Sequence, residues 1–80
     1  MNTQDKYNGW ANYETWNASL WINNEERLYR LAKECRDYGE FEVLMLSMGE
    51  VKTGDGVRWD NDKIDWFEMN AMLNELKEGA

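Results

Sequence analysis

Four carboxylates lie close together in the segment DNDKIDWFE, and their spacing is the closest that the sequence comes to a metal site. Asp60 and Asp62 stand at the first and third positions of an EF-hand calcium loop. That loop requires glycine at its sixth position and glutamate at its twelfth, where this chain has Asp65 and Ala71. Glu68 comes too early to replace the missing glutamate. We therefore expect no calcium site and no other metal site.

Catalytic chemistry is not indicated either. The chain contains no histidine, which removes the commonest general base and the commonest transition-metal ligand. Cys35 lies at helical spacing among apolar residues, and this favours a buried structural thiol over a nucleophile. Ser19 and Ser47 have no candidate base beside them, and there is no glycine-rich phosphate loop. We predict that the protein is not an enzyme, has no catalytic residue and needs no cofactor.

Charge is the most informative global property of the chain. Sixteen acidic residues stand against nine basic ones, and the formal net charge is −7. Residues 1–39 carry −1 of this charge and residues 40–80 carry −6. Such a protein repels free phosphates, so we expect it not to bind nucleic acid directly. Either it binds a protein with a basic nucleic-acid-binding surface, or the charge only maintains solubility.

The candidate partner-binding residues are acids of the C-terminal half and one tryptophan. Glu68 and Glu75 are expected on nearly the same face of a helix, about 10 Å apart along its axis. Trp59, between Arg58 and Asp60 in a loop, is expected to be partly exposed and to anchor a protein contact. Alternatively, it folds back and caps the core, and the acids are a solvated face. The full candidate set is Asp55, Trp59, Asp60, Asp62, Asp65, Glu68 and Glu75.

Helical signals dominate the first half of the chain. Asn12 is a plausible N-cap for a first helix over Tyr13–Ile22. Asn23, followed three residues later by Glu26, resembles a capping box and predicts the start of a second helix. An apolar stripe at helical spacing continues from there until Gly39, which we expect to end the second helix.

Two further helices are predicted in the second half. The run EFEVLMLSMG, residues 40–49, is rich in Leu and Met and favours a short helix, although a short buried strand is the alternative. A loop with the turn sequence Gly54-Asp55-Gly56 follows. Asp65 then begins a last helix that reaches about Glu78. We predict an all-α fold, a compact single domain over residues 1–80 with about four short helices.

Three tryptophans near the N-terminus could build a core or form an aromatic platform for nucleic-acid bases. Platforms of this kind normally accompany a basic groove, and the surroundings of Trp10, Trp16 and Trp21 are nearly neutral. Trp16 also shares a helical stripe with Tyr13 and Leu20. We therefore expect these tryptophans to form the core of a helical hairpin.

Two sequence elements carry a resemblance to a known group of proteins. The segment from Tyr7 to Tyr29, YNGWANYETWNASLWINNEERLY, contains a W-x-N-x-E-T-W…L-W-I-x-N pattern, and TGDGVRWD follows at residues 53–60. The chain thereby resembles small acidic proteins of phages and other mobile elements. Some of these are similar to anti-CRISPR proteins of type I systems, which bind the RNA-guided surveillance complex and exclude target DNA. The resemblance implies a mobile-element origin and supplies no catalytic residue.

Charge and resemblance together give a leading hypothesis and one alternative. The first is an inhibitor that covers the basic DNA-binding surface of a type I CRISPR–Cas complex by acidic DNA mimicry. The alternative is a host-takeover adaptor that binds another bacterial enzyme, such as a polymerase or nuclease, through the Trp59 loop. Because the chain has no apolar run of membrane length and a single cysteine, we expect it to act in the bacterial host cytoplasm and not at a membrane.

Overall fold

Four helices make up the regular structure of residues 7–78. The computed structural model describes residues 7–78, so the expected domain over 1–80 extends past the described part at both ends. The helices are α1 (Tyr13–Asn24), α2 (Glu26–Glu34), α3 (Tyr38–Ser47) and α4 (Trp66–Glu78). Extended pairing within 7–78 is limited to two isolated bridges. The all-α prediction is confirmed, including the helix rather than the strand alternative for residues 40–49. None of the described helices is both long and apolar enough to cross a membrane.

The start of α1 is as predicted, but the start of α2 is not. Asn12 is the N-cap of α1, and its Oδ1 accepts a hydrogen bond from the Thr15 amide at 2.8 Å. The predicted cap of the second helix, Asn23, still lies within α1. Glu25 takes that role instead, because its carboxylate accepts from the Leu28 amide at 2.9 Å and its extended backbone separates the two helices.

The second helix also ends earlier than Gly39 suggested. It stops at Glu34, and Asp37 then caps α3 by accepting from the Glu40 amide at 2.9 Å. An aspartate in this position satisfies an otherwise unpaired helix-terminal amide, and this favours a new helix over continuation of α2. Gly39 therefore lies in the first turn of α3. A Cβ there would come within 3.1 Å of the Trp66 ring, so the glycine allows this ring to pack closely.

The core forms around the one tryptophan that was expected to be partly exposed. Trp59 is 1% exposed, which corrects that expectation and confirms the alternative that it folds back onto the core. Its ring packs edge-on against Phe41 with centroids 5.2 Å apart, and its carbonyl accepts from the Tyr38 hydroxyl at 2.6 Å. The same burial raises the pKa of Tyr38. Ile22, Met45, Met69 and Leu73 complete the fully buried centre.

The three N-terminal tryptophans, by contrast, are only partly buried. Trp10 and Trp21 pack against the edge of the core. Trp16 lies instead in a ring cluster with Tyr7 and Tyr13, at centroid distances of 4.8 and 5.6 Å. The prediction that these residues form the core is therefore wrong in degree. Of the five residues that α1 buries, Ile22 is the one large apolar side chain. The other four are small or polar: Thr15, Asn17, Ala18 and Ser19.

Candidate functional site

The acidic candidate segment begins in a hairpin-like loop that is attached to the polar face of α1. Asn17 is fully buried and donates from Nδ2 to Asp55 Oδ2 at 2.8 Å. Trp21 Nε1 donates to the same Asp55 oxygen at 2.9 Å. The Thr53 hydroxyl completes the set by donating to Asn17 Oδ1 at 2.7 Å. We call these four side chains the Asn17 lock.

The loop adopts a shape that delivers Thr53 and Asp55 to α1. Main-chain bonds join Thr53 N to Val57 O at 2.8 Å and Gly56 N to Thr53 O at 2.9 Å. Gly56 has φ +93°, a left-handed conformation that glycine adopts without strain. Gly54 is needed for a different reason, because a Cβ at this position would collide with the Trp21 ring. The turn predicted from Gly54-Asp55-Gly56 is thus present; Gly56 supplies its left-handed backbone, and Gly54 leaves room for the Trp21 ring.

The hydrogen bonds that the Asp55 carboxylate accepts favour its ionised form. Donation from Asn17, and next from Trp21, lowers the pKa of Asp55 below its ordinary value. The Asp55 residue is otherwise exposed to solvent. The lock therefore fixes the position of a surface negative charge without removing it.

A second group of bonds attaches the following residues to the N-terminal end of α1. Thr15 Oγ1 accepts from the Asp65 amide at 2.9 Å. The side-chain amide of Asn12 donates to the Lys63 carbonyl at 2.7 Å, so this residue both caps α1 and holds the loop. Asp65 Oδ1 accepts from the Glu68 amide at 3.0 Å, as expected for the start of α4. Residues 53–65 consequently run antiparallel to α1, from Trp21 towards Asn12.

Glu68 continues this attachment past the start of α1. Its Oε1 accepts from the main-chain amide of Ala11 at 2.8 Å. Three of the acids predicted to bind a partner therefore attach the acidic segment to α1 and its approach: Asp55 through its carboxylate, Asp65 through its main-chain amide and Glu68 through its bond to Ala11. Their positions are fixed by the fold.

The other predicted site residues differ from one another. Asp60 forms an ion pair with Arg58 at 2.8 Å, which lowers the pKa of Asp60 and cancels much of its charge at long range. Asp62 and Glu75 are exposed, and their side chains make no hydrogen bond or ion pair with other residues between 7 and 78. Trp59 is buried and offers no surface to a partner.

Glu42 is an acid of this region that sequence reasoning missed. Burial, and then the proximity of Asp60, raise the pKa of Glu42 above its ordinary value. This residue lies on α3, where only its apolar neighbours attracted attention. No local pattern in the sequence indicates that α3 brings it towards Asp60.

A groove opens on the other side of Glu68, between α1, α2 and α4. Its volume is about 520 Å³, and its walls include Trp10, Asn23, Tyr29, Phe67, Met72 and Glu75. Trp10 reaches the rim from a tight turn in which Asn8 and Gly9 have φ of +51° and +89°. Paired hydrogen bonds between Tyr7 and Trp10 close this turn, at 2.7 and 2.8 Å. An Asn-Gly pair is the usual signature of such a turn, and this signal in the sequence was missed.

Two observations concern the metal-ligand and thiol chemistry considered from the sequence. In the range 7–78 there is no group of three or more Cys, Asp or Glu side chains placed to hold a metal ion. Cys35 is buried, and this burial raises the pKa of its thiol, which disfavours the reactive thiolate. The surface of the described residues thus carries exposed acids, among them Asp55, Asp62 and Glu75, and a groove with aromatic walls.

Comparison with known proteins identifies the family. The sequence matches a family of unknown function, DUF7249, over residues 3–79. The chain belongs to DUF7249. No curated protein and no solved structure matches it.

The fold of this DUF7249 chain brings together the two sequence elements noted above, the segment from Tyr7 to Tyr29 and residues 53–60. The Asn17 lock joins them directly, since Asn17 and Trp21 come from the first element and Thr53 and Asp55 from the second. Sequence reasoning treated Asn17 and Thr53 as unremarkable. The only signal that could have found them was the presence of polar residues within both elements.

Proposed function

We propose that the protein is a non-catalytic inhibitor that binds the basic nucleic-acid-binding surface of a type I CRISPR–Cas surveillance complex. In this proposal its acidic face occupies arginine and lysine sites that otherwise contact target DNA, and it acts in the cytoplasm of a bacterial host. The resemblance to mobile-element proteins supports the choice of target. The charge of the chain supports the mechanism, because acidic complementarity speeds encounter with a basic surface.

The observation that carries the proposal is the fixed placement of the acids. The carboxylate of Asp55 accepts from α1 at 2.8 Å, that of Glu68 accepts from Ala11 just before α1 at 2.8 Å, and that of Asp65 caps the start of α4 at 3.0 Å. Asp55 accepts two such bonds through one of its oxygens, and its exposed carboxylate has further acceptor positions for a partner. Because these side chains are already ordered, binding costs less conformational entropy than it would for freely rotating acids. Fixed spacing of negative charge is what mimicry of a phosphate backbone requires.

Asp60 contributes less negative charge to the proposed binding surface than the sequence suggested. Its ion pair with Arg58 puts a positive charge within 2.8 Å of the carboxylate. The surface therefore depends mainly on Asp55, Asp62, Asp65, Glu68 and Glu75. Among these, Asp62 and Glu75 are the best residues to test, because within 7–78 they have no hydrogen bond that a substitution would break.

A DNA-binding competition tests the proposal. Purified type I surveillance complexes are titrated with labelled target duplex in the presence and absence of saturating protein. We expect the protein to weaken DNA binding, and higher salt to reduce this effect because exposed charges are screened. Unchanged DNA affinity for every complex tried would refute the proposal.

Matched charge reversals test the acidic mechanism. Asp62→Lys and Glu75→Lys should each weaken inhibition about tenfold, since each places a like charge against a basic surface. Glu34→Lys is the control: it makes the same change in net charge at an exposed position at the end of α2. If all three variants lost inhibition to the same extent, net charge and not this face would be responsible. If none of them lost inhibition, the acidic mechanism would be refuted.

The adaptor hypothesis is separated by partner capture. It requires the loop around Trp59 to contact a polymerase or nuclease. Trp59 is 1% exposed, so its side chain is not available for that contact. Affinity capture from host lysate should recover a CRISPR effector as the main partner. Recovery of a polymerase or other nuclease instead would favour the adaptor role.

A further inference from the structure

The groove between α1, α2 and α4 combines aromatic walls with negative charge. Trp10, Tyr29 and Phe67 supply the rings, and Glu75 is exposed at its edge. Among the described residues that line the groove there is no lysine or arginine, although Lys33 lies close by, over the Tyr29 ring. Glu75 and Leu76 also belong to the last turn of α4, where the helix dipole adds partial negative charge; the basic residue of this turn, Lys77, donates from Nζ to the Arg36 carbonyl and does not line the groove. The electrostatic character of this groove therefore favours a cation.

Phe67 is the feature of the groove that most needs an explanation. It is 84% exposed, the largest exposure among the large hydrophobic side chains of residues 7–78. Exposed aromatic side chains beside a concave surface are typical of contact sites, where they become buried when a partner binds. Phe67 precedes Glu68, which bonds to Ala11, so the backbone that carries this ring is held in place.

We infer that this groove binds an arginine side chain presented by the partner protein. A planar guanidinium stacks on aromatic faces and pairs with a carboxylate at the same time, and it is less strongly hydrated than a lysine ammonium. Trp10 and Phe67 provide the stacking surfaces and Glu75 provides the charge. Tyr29 has a smaller share, because Lys33 Nζ already lies 5.3 Å from its ring centroid. The inference rests on the proposed function only for the nature of the partner.

A peptide titration tests the groove without any CRISPR component. The probes are acetyl-Gly-Arg-Gly-amide and the same peptide with citrulline, which has nearly the shape of arginine but no charge. Two-dimensional NMR follows the indole proton of Trp10 and the amides of residues 67–76. The other tryptophans, none of which lines this groove, serve as internal references. We expect saturable shifts at these positions, with affinity about tenfold higher for the arginine peptide.

Two variants and one control assign the effect to named side chains. Phe67→Ala and Glu75→Gln should each lower the affinity for the arginine peptide by about three- to tenfold. Both residues are exposed, so neither variant should impair folding. Val43→Ala is the control, because Val43 is also a large exposed hydrophobic residue, 65% exposed, but lies on α3 outside the groove. It should bind the peptide as the wild type does.

The outcomes distinguish this inference from the proposed function. Equal affinity for the arginine and citrulline peptides, or unchanged affinity in both groove variants, would overturn the groove assignment even if the protein inhibits DNA binding. Shifts at the same positions that depend on protein concentration without peptide would identify a second copy as the occupant, and would also overturn it. Selective arginine binding lost in both variants would support it, whatever the DNA competition gives.

Discussion

The two sides of α1 are held to the rest of the molecule by different forces. Towards the core, α1 contributes Ala18 and Ile22 to an apolar cluster centred on Trp59 and Phe41. Towards residues 53–65, it contributes the buried polar side chains Thr15 and Asn17, each with a hydrogen bond of 2.9 Å or less. Apolar side chains can pack against many different apolar neighbours, whereas buried polar groups need a hydrogen-bond partner in one particular position. The apolar side thus supplies most of the stability, and the polar side selects where the acidic loop lies.

Removal of the central tryptophan, on the apolar side, should lower the free energy of unfolding more than any change on the polar side. Trp59→Ala should lower the free energy of unfolding by about 3–5 kcal/mol, because it leaves a large cavity in a small core. Chemical denaturation followed by circular dichroism measures the change. Trp59→Phe is the control and should cost much less, because it keeps an aromatic ring in the core and the indole N–H that it removes has no hydrogen-bond partner among residues 7–78. A larger loss for Phe than for Ala would contradict this account of the apolar side.

Removal of the polar lock should have the next largest effect. Asn17→Ala should lower the free energy of unfolding by about 2–3 kcal/mol, because it leaves the buried Thr53 hydroxyl without its acceptor and Asp55 without one of its donors. The same denaturation measurement applies. Asn24→Ala, at an exposed position of the same helix, is the control and should stay within about 0.5 kcal/mol of the wild type. Similar values for the two variants would show that the lock does not stabilise the fold.

The close contact between Gly54 and the Trp21 ring should make a methyl group at residue 54 destabilising. Gly54→Ala should cost about 1–2 kcal/mol, because the added Cβ would overlap the indole ring and force it to move. The cost should shrink in a Trp21→Leu background, where the ring is absent, and a double-mutant cycle measures this coupling. Strict additivity of the two substitutions would contradict the contact.

The smallest of these effects is a dependence on pH. The pKa of Asp55 is lowered below its ordinary value of 3.8, so the ionised form stabilises the fold. This contribution is fully present above the ordinary pKa and is lost as the pH falls through the lowered one. The stability difference between wild type and Asp55→Asn should therefore be constant near neutral pH and narrow below about pH 4. A difference that stays constant down to pH 3 would show that the charge of Asp55 does not contribute.

Local signals in the sequence predicted the helices well where a cap begins them. Asn12 and Asp65 each accept a hydrogen bond from an amide three residues later, and these contacts depend only on neighbouring residues. Gly39 was misread because a glycine at the end of an apolar stripe can also be a close-packing position. Which use applies depends on Trp66, a residue far away in sequence.

The candidate site was less predictable, because its geometry depends on distant pairs. Asn17 and Asp55 are 38 residues apart, and no local pattern links an amide on a helix to a carboxylate in a loop. The tryptophans were misjudged for the same reason: helical periodicity indicates a stripe, but only the packed loop determines which side of α1 is buried. The acids predicted to bind a partner remain a prediction, with Trp59 removed from the set.

The indole N–H groups of Trp59 and Trp21 give this small protein two built-in reporters of opening. That of Trp59 is enclosed in the core, so its exchange with solvent deuterium requires the whole core to open. That of Trp21 is bonded to Asp55 at the surface and needs only the loop to detach. Their two exchange rates, read from a single spectrum, would give separate free energies for loop release and for global unfolding. An acidic face that binds as a preformed surface should show loop release to be rare.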